Sequence, residues 1–244
     1  MGHGGGKVLK PTVVPGMEYC VKLACSSTQT AVLTADRKLN VFDDNLGKVH
    51  FSASHCGDIV EIYSGNGLTA IRNTNGVVYF VGSFMKQTYS LESPIAEEIS
   101  SVSFGAEHCL LLSKDGTIKS FGANGSGQLG LGDKTERSAA EVIKGLANVR
   151  SIVAGERHSA AVTHEGALYV WGASPHGRED MLTPVKHFTS ENIEKLEMSK
   201  ENLIALSSNV SIYSPIARNL DNSNDFSGTS VKLATRLLRQ QKLL

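Results

Sequence analysis

The stretch Gly105-Ala-Glu-His-Cys-Leu-Leu-Leu-Ser-Lys-Asp-Gly-Thr-Ile-Lys-Ser-Phe-Gly122 has a second copy in this chain. It returns as Gly155-Glu-Arg-His-Ser-Ala-Ala-Val-Thr-His-Glu-Gly-Ala-Leu-Tyr-Val-Trp-Gly172, and every landmark moves by the same amount, since 155 − 105 = 50 and 172 − 122 = 50. A fixed period of roughly 20 to 50 residues is typical of proteins built from repeated structural units. The chain is therefore predicted to be a repeat protein.

Three weaker copies accompany these two. Residues 65–82 repeat the pattern with a displacement of 40, and Leu68 stands where the other copies have histidine. Residues 29–43 keep the apolar runs and Asp36 but no glycine, whereas residues 202–214 keep only the apolar rhythm. At the repeat length above, about five units fit into the chain.

Each clear unit contains a predicted β-hairpin. Apolar runs flank the dipeptides Asp115-Gly116 and Asn75-Gly76, which favour a type I′ turn because both of its central residues need positive φ. Four short antiparallel strands per repeat are the layout of a β-propeller blade. The sequence thus predicts an all-β propeller of about five four-stranded blades, each of roughly 40–50 residues.

Further strand candidates lie between the hairpins. They are residues 139–143 with 149–153, and residues 183–188 with 193–198.

These repeats resemble those of the regulator of chromosome condensation family of β-propeller proteins. The most specific match is Phe121-Gly-Ala-Asn-Gly-Ser-Gly127-Gln-Leu-Gly-Leu-Gly132, which follows the family's Trp/Phe-Gly-x-Asn-x-x-Gly-Gln-Leu-Gly-x-Gly stretch. The family's apolar-small-small-Gly-x-x-His motif ends at His108 and again at His158, although Phe104 and Val153 depart from the small residues expected there. Seven such blades would need about 350 residues. The chain is therefore predicted to be a degenerate or partial member.

The repeats assign structural roles to eleven glycines and two histidines. These residues are Gly65, Gly76, Gly82, Gly105, His108, Gly116, Gly122, Gly127, Gly130, Gly155, His158, Gly166 and Gly172. A repeated hydrogen bond explains the two histidines better than catalysis does, because both directly precede an apolar strand at the same place in the repeat. The remaining histidines follow no ligand spacing, and no catalytic triad or carboxylate pair stands out locally. We expect no catalytic residue, no cofactor and no metal.

One alternative is a dinucleotide-binding turn. Gly125-Ser-Gly127-Gln-Leu-Gly130 formally matches the GxGxxG pattern, provided that residues 134–146 form a helix. The acidic residue expected about 20 residues further on is missing, since Arg150 and Ser151 lie there. The pattern alone is weak evidence.

Charge is distributed unevenly along the chain. There are 24 basic and 24 acidic residues, but six basic ones lie in the first and last segments, which leaves a body with 18 basic and 24 acidic residues. An acidic body argues against direct nucleic-acid binding and suits a basic protein surface. With 41% apolar and 20% charged residues and no long uncharged apolar run, we expect a soluble chain without a membrane span.

The four cysteines form neither a CxxC pair nor a zinc-ligand pattern. We expect reduced, mostly buried thiols at Cys20, Cys25, Cys56 and Cys109.

The chain divides into three predicted parts. Residues 1–10 are interpreted as a flexible leader, residues 11–218 as propeller repeats (clearest over 60–172), and residues 219–244 as a polar linker followed by a basic amphipathic helix. The helix either caps the last blade or docks onto a partner. Its candidate partner-binding residues are Arg236, Arg239 and Lys242.

The family resemblance implies a non-enzymatic protein-interaction adaptor. Such a protein would bind a chromatin-associated or regulatory protein through loops on one propeller face, without a small-molecule substrate, inside the cell and in the nucleus rather than the cytoplasm. The alternative is a guanine-nucleotide exchange factor for a Ran-type small GTPase. A third possibility is that the chain is a fragment or a nonfunctional isoform. The single tryptophan, Trp171, disfavours the light sensing found in the family's plant branch, which depends on clustered tryptophans.

Overall fold

The computed structural model describes residues 19–26, 29–43, 47–65, 67–84, 87–174, 179–188, 193–198, 203–207 and 212–213. These residues form 19 strands in five sheets. Within this part of the chain, no helix has the length and apolar character needed to cross a membrane. The expected leader, the C-terminal helix and the residues Arg236, Arg239 and Lys242 lie outside the described residues.

The sheets follow one another along the chain. The first contains β1 (Cys20–Cys25), β2 (Gln29–Thr34), β3 (Lys38–Asp43) and β4 (Gly47–Ser52). The second contains β5 (Ile59–Ser64), β6 (Leu68–Asn73), β7 (Val78–Phe84) and β8 (Gln87–Ala96), after a short 3₁₀ turn at Ser54–Cys56. The third contains β9 (Ile99–Phe104), β10 (His108–Ser113), β11 (Ile118–Gly122) and β12 (Arg137–Val142).

The fourth sheet contains β13 (Val149–Ala154), β14 (His158–Thr163), β15 (Leu168–Gly172) and β16 (Met181–Phe188). The fifth contains β17 (Ile193–Met198), β18 (Leu203–Ser207) and β19 (Ile212–Tyr213). Every sheet is an antiparallel meander in chain order. The all-β fold with repeated four-stranded blades is thereby confirmed.

Strand pairing preserves the repeat found in the sequence. His108 pairs with Gly122 and His158 pairs with Gly172, while Leu68 pairs with Gly82 in the second sheet. The displacements of 50 and 40 in the sequence are therefore displacements of whole, equally registered blades.

The prediction of type I′ hairpin turns is wrong. At Asp115-Gly116 only the glycine has positive φ (82°). The amide of Gly116 donates to the carbonyl of Ser113 at 3.1 Å, and the carboxylate of Asp115 accepts the amide of Thr117 at 2.9 Å. This is a three-residue loop that ends in a left-handed glycine, a geometry in which the aspartate can accept a local amide hydrogen bond. In the first sheet Arg37 takes the place of the glycine, with φ 61°.

The hydrophobic core lies between the sheets. We call the face of a sheet that meets the preceding sheet its front and the opposite face its back. Strand alternation directs Leu111 to the front of the third sheet and Leu110 to its back, so that each joins a different cluster. Four clusters join the five consecutive sheets. Among the described residues, no hydrophobic cluster joins the fifth sheet to the first, so the sheets form an open series.

Two sequence expectations need correction here. Residues 137–142 form strand β12, so the helix that a dinucleotide-binding turn requires is absent and that alternative is wrong. All four cysteines are free, but only Cys56 and Cys109 are buried. Cys20 and Cys25 are exposed because they lie on β1, and none of the described sheets lies in front of it.

Candidate interaction face

The connections between strands leave the sheets at two ends. In an antiparallel meander, the loops from first to second strand and from third to fourth strand lie at the same end. We call the described loops of the third and fourth sheets at this end, residues 105–107, 123–136, 155–157, 173–174 and 179–180, the loop face. The opposite end, which carries the hairpin turns between second and third strands, is the turn face.

The loop face is continuous because its loops bond to one another. The amide of Ala106 donates to the carbonyl of Gly155 at 3.1 Å and thereby joins the third sheet to the fourth. The amide of Gly132 donates to the carbonyl of Leu182 at 2.9 Å. Backbone bonds of this kind hold the relative position of two blades without relying on exposed side chains.

The long loop between β11 and β12 is built around a buried asparagine. Asn124 is 1% exposed, and its Oδ1 accepts the amide of Leu129 at 3.0 Å. Its Nδ2 donates to the carbonyl of Asp133 at 2.9 Å. One side chain therefore spans the loop and satisfies backbone groups that would otherwise be buried without partners. This explains why asparagine occurs at this position in the repeat motif.

Gln128 fixes the same loop to the next sheet. Its carbonyl accepts two buried hydrogen bonds, from Trp171 Nε1 and from Ser159 Oγ, both at 2.9 Å. Gly130 lies close to the indole ring, and a side chain does not fit there, because a Cβ at this position would lie 2.8 Å from Trp171 Nε1. Trp171 is fully buried. The single tryptophan therefore serves as a docking site for the loop of the preceding blade.

His108 extends this network between the sheets. Its Nε2 lies 2.9 Å from Ser159 Oγ, and since the serine hydroxyl already donates to Gln128, the imidazole must be the donor. Nε2 therefore carries a proton. Burial lowers the pKa of His108 to about 3, with a smaller contribution from nearby His158, so the ring is neutral near pH 7. A proton-transfer role near neutral pH would need a pKa near 7, so the geometry supports a structural histidine.

The same position forms a matched pair at the first three junctions between the described sheets, which the sequence did not reveal. Gln29 in the first sheet corresponds to His108, and its Nε2 donates to Thr69 of the second sheet at 2.9 Å. At the next junction Leu68 and Cys109 occupy these two positions, and both lie in one hydrophobic cluster. At these three junctions polar faces polar and apolar faces apolar, whereas His158 and Leu203 occupy the two positions at the fourth. The correspondence becomes visible when the first residue of each second strand is compared with the second residue of the second strand in the following unit.

The predicted glycines fall into four structural positions. Gly65, Gly105 and Gly155 follow the first strands; Gly76, Gly116 and Gly166 close the hairpin turns; Gly82, Gly122 and Gly172 pair with the first residue of the second strand; Gly127 and Gly130 lie in the long loop. His158 is buried at the same place in the fourth sheet as His108 in the third. The glycines therefore lie at both ends of the sheets, with Gly76, Gly116 and Gly166 at the end of the hairpin turns.

Ion pairs order the exposed side of the long loop. Asp133 accepts Arg137 Nη2 at 2.7 Å and the amide of Thr135 at 2.8 Å, and these two bonds hold the pKa of its carboxyl below the usual range. Lys134 pairs with Asp180 of the fourth sheet at 2.6 Å and lowers the pKa of that carboxyl. The loop is thus held by hydrogen bonds on its buried side and by ion pairs on its exposed side.

The described part of the loop face is acidic. Six carboxylates and two basic side chains give it an excess of four negative charges. The acidic residues are Glu107, Asp133, Glu136, Glu156, Glu179 and Asp180, and the basic ones are Lys134 and Arg157. Since Asp133 and Asp180 already have cationic partners, the glutamates are the charges available to a partner.

Within the described residues no group of three His, Cys, Asp or Glu side chains could hold a metal ion. The loop face offers a rigid charged surface.

Comparison with known proteins shows which families and structures these features resemble. The sequence profile for the regulator of chromosome condensation (RCC1) repeat matches residues 99–128 and 149–178, and a second profile of the same name matches residues 115–162. Curated relatives include the ultraviolet-B receptor UVR8 of Arabidopsis thaliana, 37% identical over 108 residues (41% of this chain, 24% of that protein). The human X-linked retinitis pigmentosa GTPase regulator is 29% identical over 162 residues (65% of this chain, 13% of that protein).

Solved structures support the fold. Yeast RCC1 (Prp20), bound to Kap60, superimposes with a TM-score of 0.68 at 17% identity, covering 84% of this chain and 59% of that one. Prp20p of Saccharomyces cerevisiae, in a study of its binding to Gsp1p and histones, gives 0.65 at 18% identity, with 80% and 57% covered. The chain therefore spans about a quarter or less of the curated relatives described above and under two thirds of these propellers.

Proposed function

Because this chain is a regulator of chromosome condensation repeat protein and a partial β-propeller, we propose that it is an adaptor that binds a basic, chromatin-associated protein through the loop face. The observation that carries the proposal is the excess of carboxylates on loops fixed by buried hydrogen bonds. A prearranged surface loses little conformational entropy on binding.

The charge of the surface suggests the kind of partner. Glu107, Glu136 and Glu179 are exposed on the loop face, where they would attract lysine- and arginine-rich protein surfaces. Histones have this chemistry, and the yeast structural neighbour Prp20p has been studied for its binding to histones. A nuclear location follows from a chromatin-associated partner and is part of the proposal.

Charge reversal on the loop face tests this function. We expect Glu107→Lys with Glu136→Lys to weaken binding of purified core histones to the full chain by at least about tenfold, measured by fluorescence anisotropy at fixed salt. The matched control is Glu97→Lys with Glu165→Lys, which reverses two exposed charges at the turn face. Equal loss in both double variants would show that only net charge matters and would reject a loop-face site.

The same protein can be tested for exchange activity. Release of a fluorescent guanine nucleotide from a Ran-type small GTPase, accelerated by the chain, would replace the adaptor proposal by the exchange-factor alternative. If nucleotide release is unchanged while histones bind, the adaptor function stands.

A further inference from the structure

The five first strands can be compared residue by residue, since they pair with their second strands in one register. Leu23 of β1 corresponds to Ile62, Val102, Ile152 and Leu196 in β5, β9, β13 and β17. The four later residues belong to the clusters that join each sheet to the one before it.

Burial separates Leu23 from its counterparts. The four later residues are at most 6% exposed, whereas Leu23 is 61% exposed. Cys20 and Cys25 lie on the same face of β1 and are also exposed, while Ile99 and Val149, which correspond to Cys20, are buried. The front of β1 therefore has the apolar character of a junction, but none of the described sheets packs against it.

The other end of the series shows the complementary feature. Ile204 of β18 corresponds to Ala31, Ala70, Leu110 and Ala160, which point to the back of the four earlier sheets and are all fully buried by the sheet that follows. Ile204 is 37% exposed. The chain thus carries both halves of one type of junction, a front at its first sheet and a back at its fifth.

We infer that copies of this chain associate head to tail, with the front of β1 in one copy packing on the back of the fifth sheet of the next. The two apolar surfaces would then be buried by the same contacts that join consecutive sheets within the chain. The inference does not depend on the proposed binding of a basic partner, which uses the loop face.

Charges at this junction are compatible with association. Lys22 and Lys195 occupy equivalent positions on β1 and β17, so they would lie near each other across the contact. Each already has a carboxylate partner in its own chain, Glu61 at 3.5 Å and Glu197 at 3.0 Å, respectively. The resulting cluster has two positive and two negative charges.

A head-to-tail contact is heterologous, because the two surfaces that meet are different. Such contacts build rings or open chains of copies instead of stopping at a pair. They also allow complementation: a copy with a damaged front can still offer its back to a copy with a damaged back.

Sedimentation velocity on the full chain tests the inference. We expect the wild-type protein to form species larger than a dimer as its concentration rises through the micromolar range. Leu23→Asp and Ile204→Asp should each weaken self-association by about 100-fold or more, because each places a charge in an apolar contact. An equimolar mixture of the two variants should form a heterodimer that grows no further. Val142→Asp, on the outer strand of the third sheet, changes a residue that is 47% exposed and serves as the matched control.

Two results would overturn the inference. One is a wild-type chain that stays monomeric at every concentration. The other is loss of association in Leu23→Asp with none in Ile204→Asp, which would indicate a front-to-front dimer. Because both residues are already exposed, the variants should keep the wild-type melting temperature at concentrations where the wild-type chain is monomeric, and circular dichroism verifies this. Alkylation gives an independent readout, since Cys20 and Cys25 should become protected only as copies associate.

Discussion

At the scale of single residues, the end of β11 has a glycine at a position where the backbone leaves no room for a side chain. Gly122 has φ 116°, and a Cβ there would lie 2.5 Å from the carbonyl oxygen of Glu107 and 2.6 Å from the Cα of His108. Both atoms belong to the backbone of the neighbouring strand, which cannot move aside without breaking the strand pairing.

We therefore expect Gly122→Ala to lower the free energy of unfolding by about 3 kcal/mol or more. Chemical denaturation measures the change. Gly125→Ala is the matched control, since its added Cβ would meet no atom within 4 Å, and it should stay within about 0.5 kcal/mol of wild type. Similar losses in both variants would contradict the close approach at Gly122.

His108 makes stability depend on pH in a defined direction. Its pKa in the folded chain, about 3, lies below the value of about 6.5 for an unfolded histidine, so the unfolded state takes up the proton first on acidification. The contribution of His108 to stability is complete above pH 6.5 and falls by about 1.4 kcal/mol per pH unit between 6.5 and 3.

Replacement of His108 removes this dependence. We expect His108→Leu to have a flatter stability profile than wild type between pH 7 and 5, a range above the titration of the lowered carboxylates. Urea denaturation at each pH gives the profile. His164→Gln, at an exposed turn, should keep the wild-type slope. An unchanged slope in His108→Leu would show that another group controls the acid response.

At the scale of elements, the long loop between β11 and β12 is ordered from within. Asn124 binds the backbone on both sides of the loop, at Leu129 and at Asp133. Lys134 lies beyond these bonds on the exposed part of the loop, where trypsin can reach it only if the loop opens.

Asn124→Ala should therefore convert a resistant loop into a cleavage site. We expect trypsin to cut after Lys134 or Arg137 at least about tenfold faster than in wild type, because the loss of two buried hydrogen bonds favours local opening. Timed digestion with mass spectrometry identifies the site. Asn75→Ala, at an exposed turn, should leave the digestion pattern unchanged. Wild-type resistance in Asn124→Ala would mean that the ion pairs alone hold the loop.

The sequence predicted these elements where repetition made a position visible. Gly122, Gly172 and the two histidines recur in clear copies, so their shared structural position followed from alignment alone. Gln29 escaped notice because it performs the role of His108 with a different side chain, and its partner Thr69 lies in another unit. The exposure of Leu23 could not be predicted either, since it depends on a neighbouring sheet that the described chain lacks in front of β1.

At the scale of the whole molecule, the hydrophobic core is divided into clusters that lie between neighbouring sheets. Each hydrophobic cluster joins two consecutive sheets, and none among the described residues spans more than that or connects the first sheet with the fifth. A series with nearest-neighbour contacts has stability that is approximately a sum of unit and junction terms. Its terminal units are held by one junction each, and its central ones by two.

Native-state hydrogen exchange should reveal this gradient. We expect amides of β10 and β14 to open only with global unfolding, and amides of β2 to exchange through a lower-energy local opening. Leu33→Ala, in the junction between the first two sheets, should accelerate exchange in the first sheet while leaving β14 unaffected. Equal acceleration in every sheet would show that the series unfolds as a single cooperative unit.

The matched pairs at the junctions also favour the observed order in which the blades pack. Gln29 meets Thr69, Leu68 meets Cys109, and His108 meets Ser159, so the second strand of each of the first three blades matches the chemistry of the blade that follows it. Packing a polar position against an apolar one, as a contact between Gln29 and Cys109 would do, sets a buried polar atom against an apolar side chain at a cost of about 1–3 kcal/mol. In a chain of similarly folded units, this matching disfavours some incorrect orders of packing, and a blade moved to another position should be moved together with the blade that follows it.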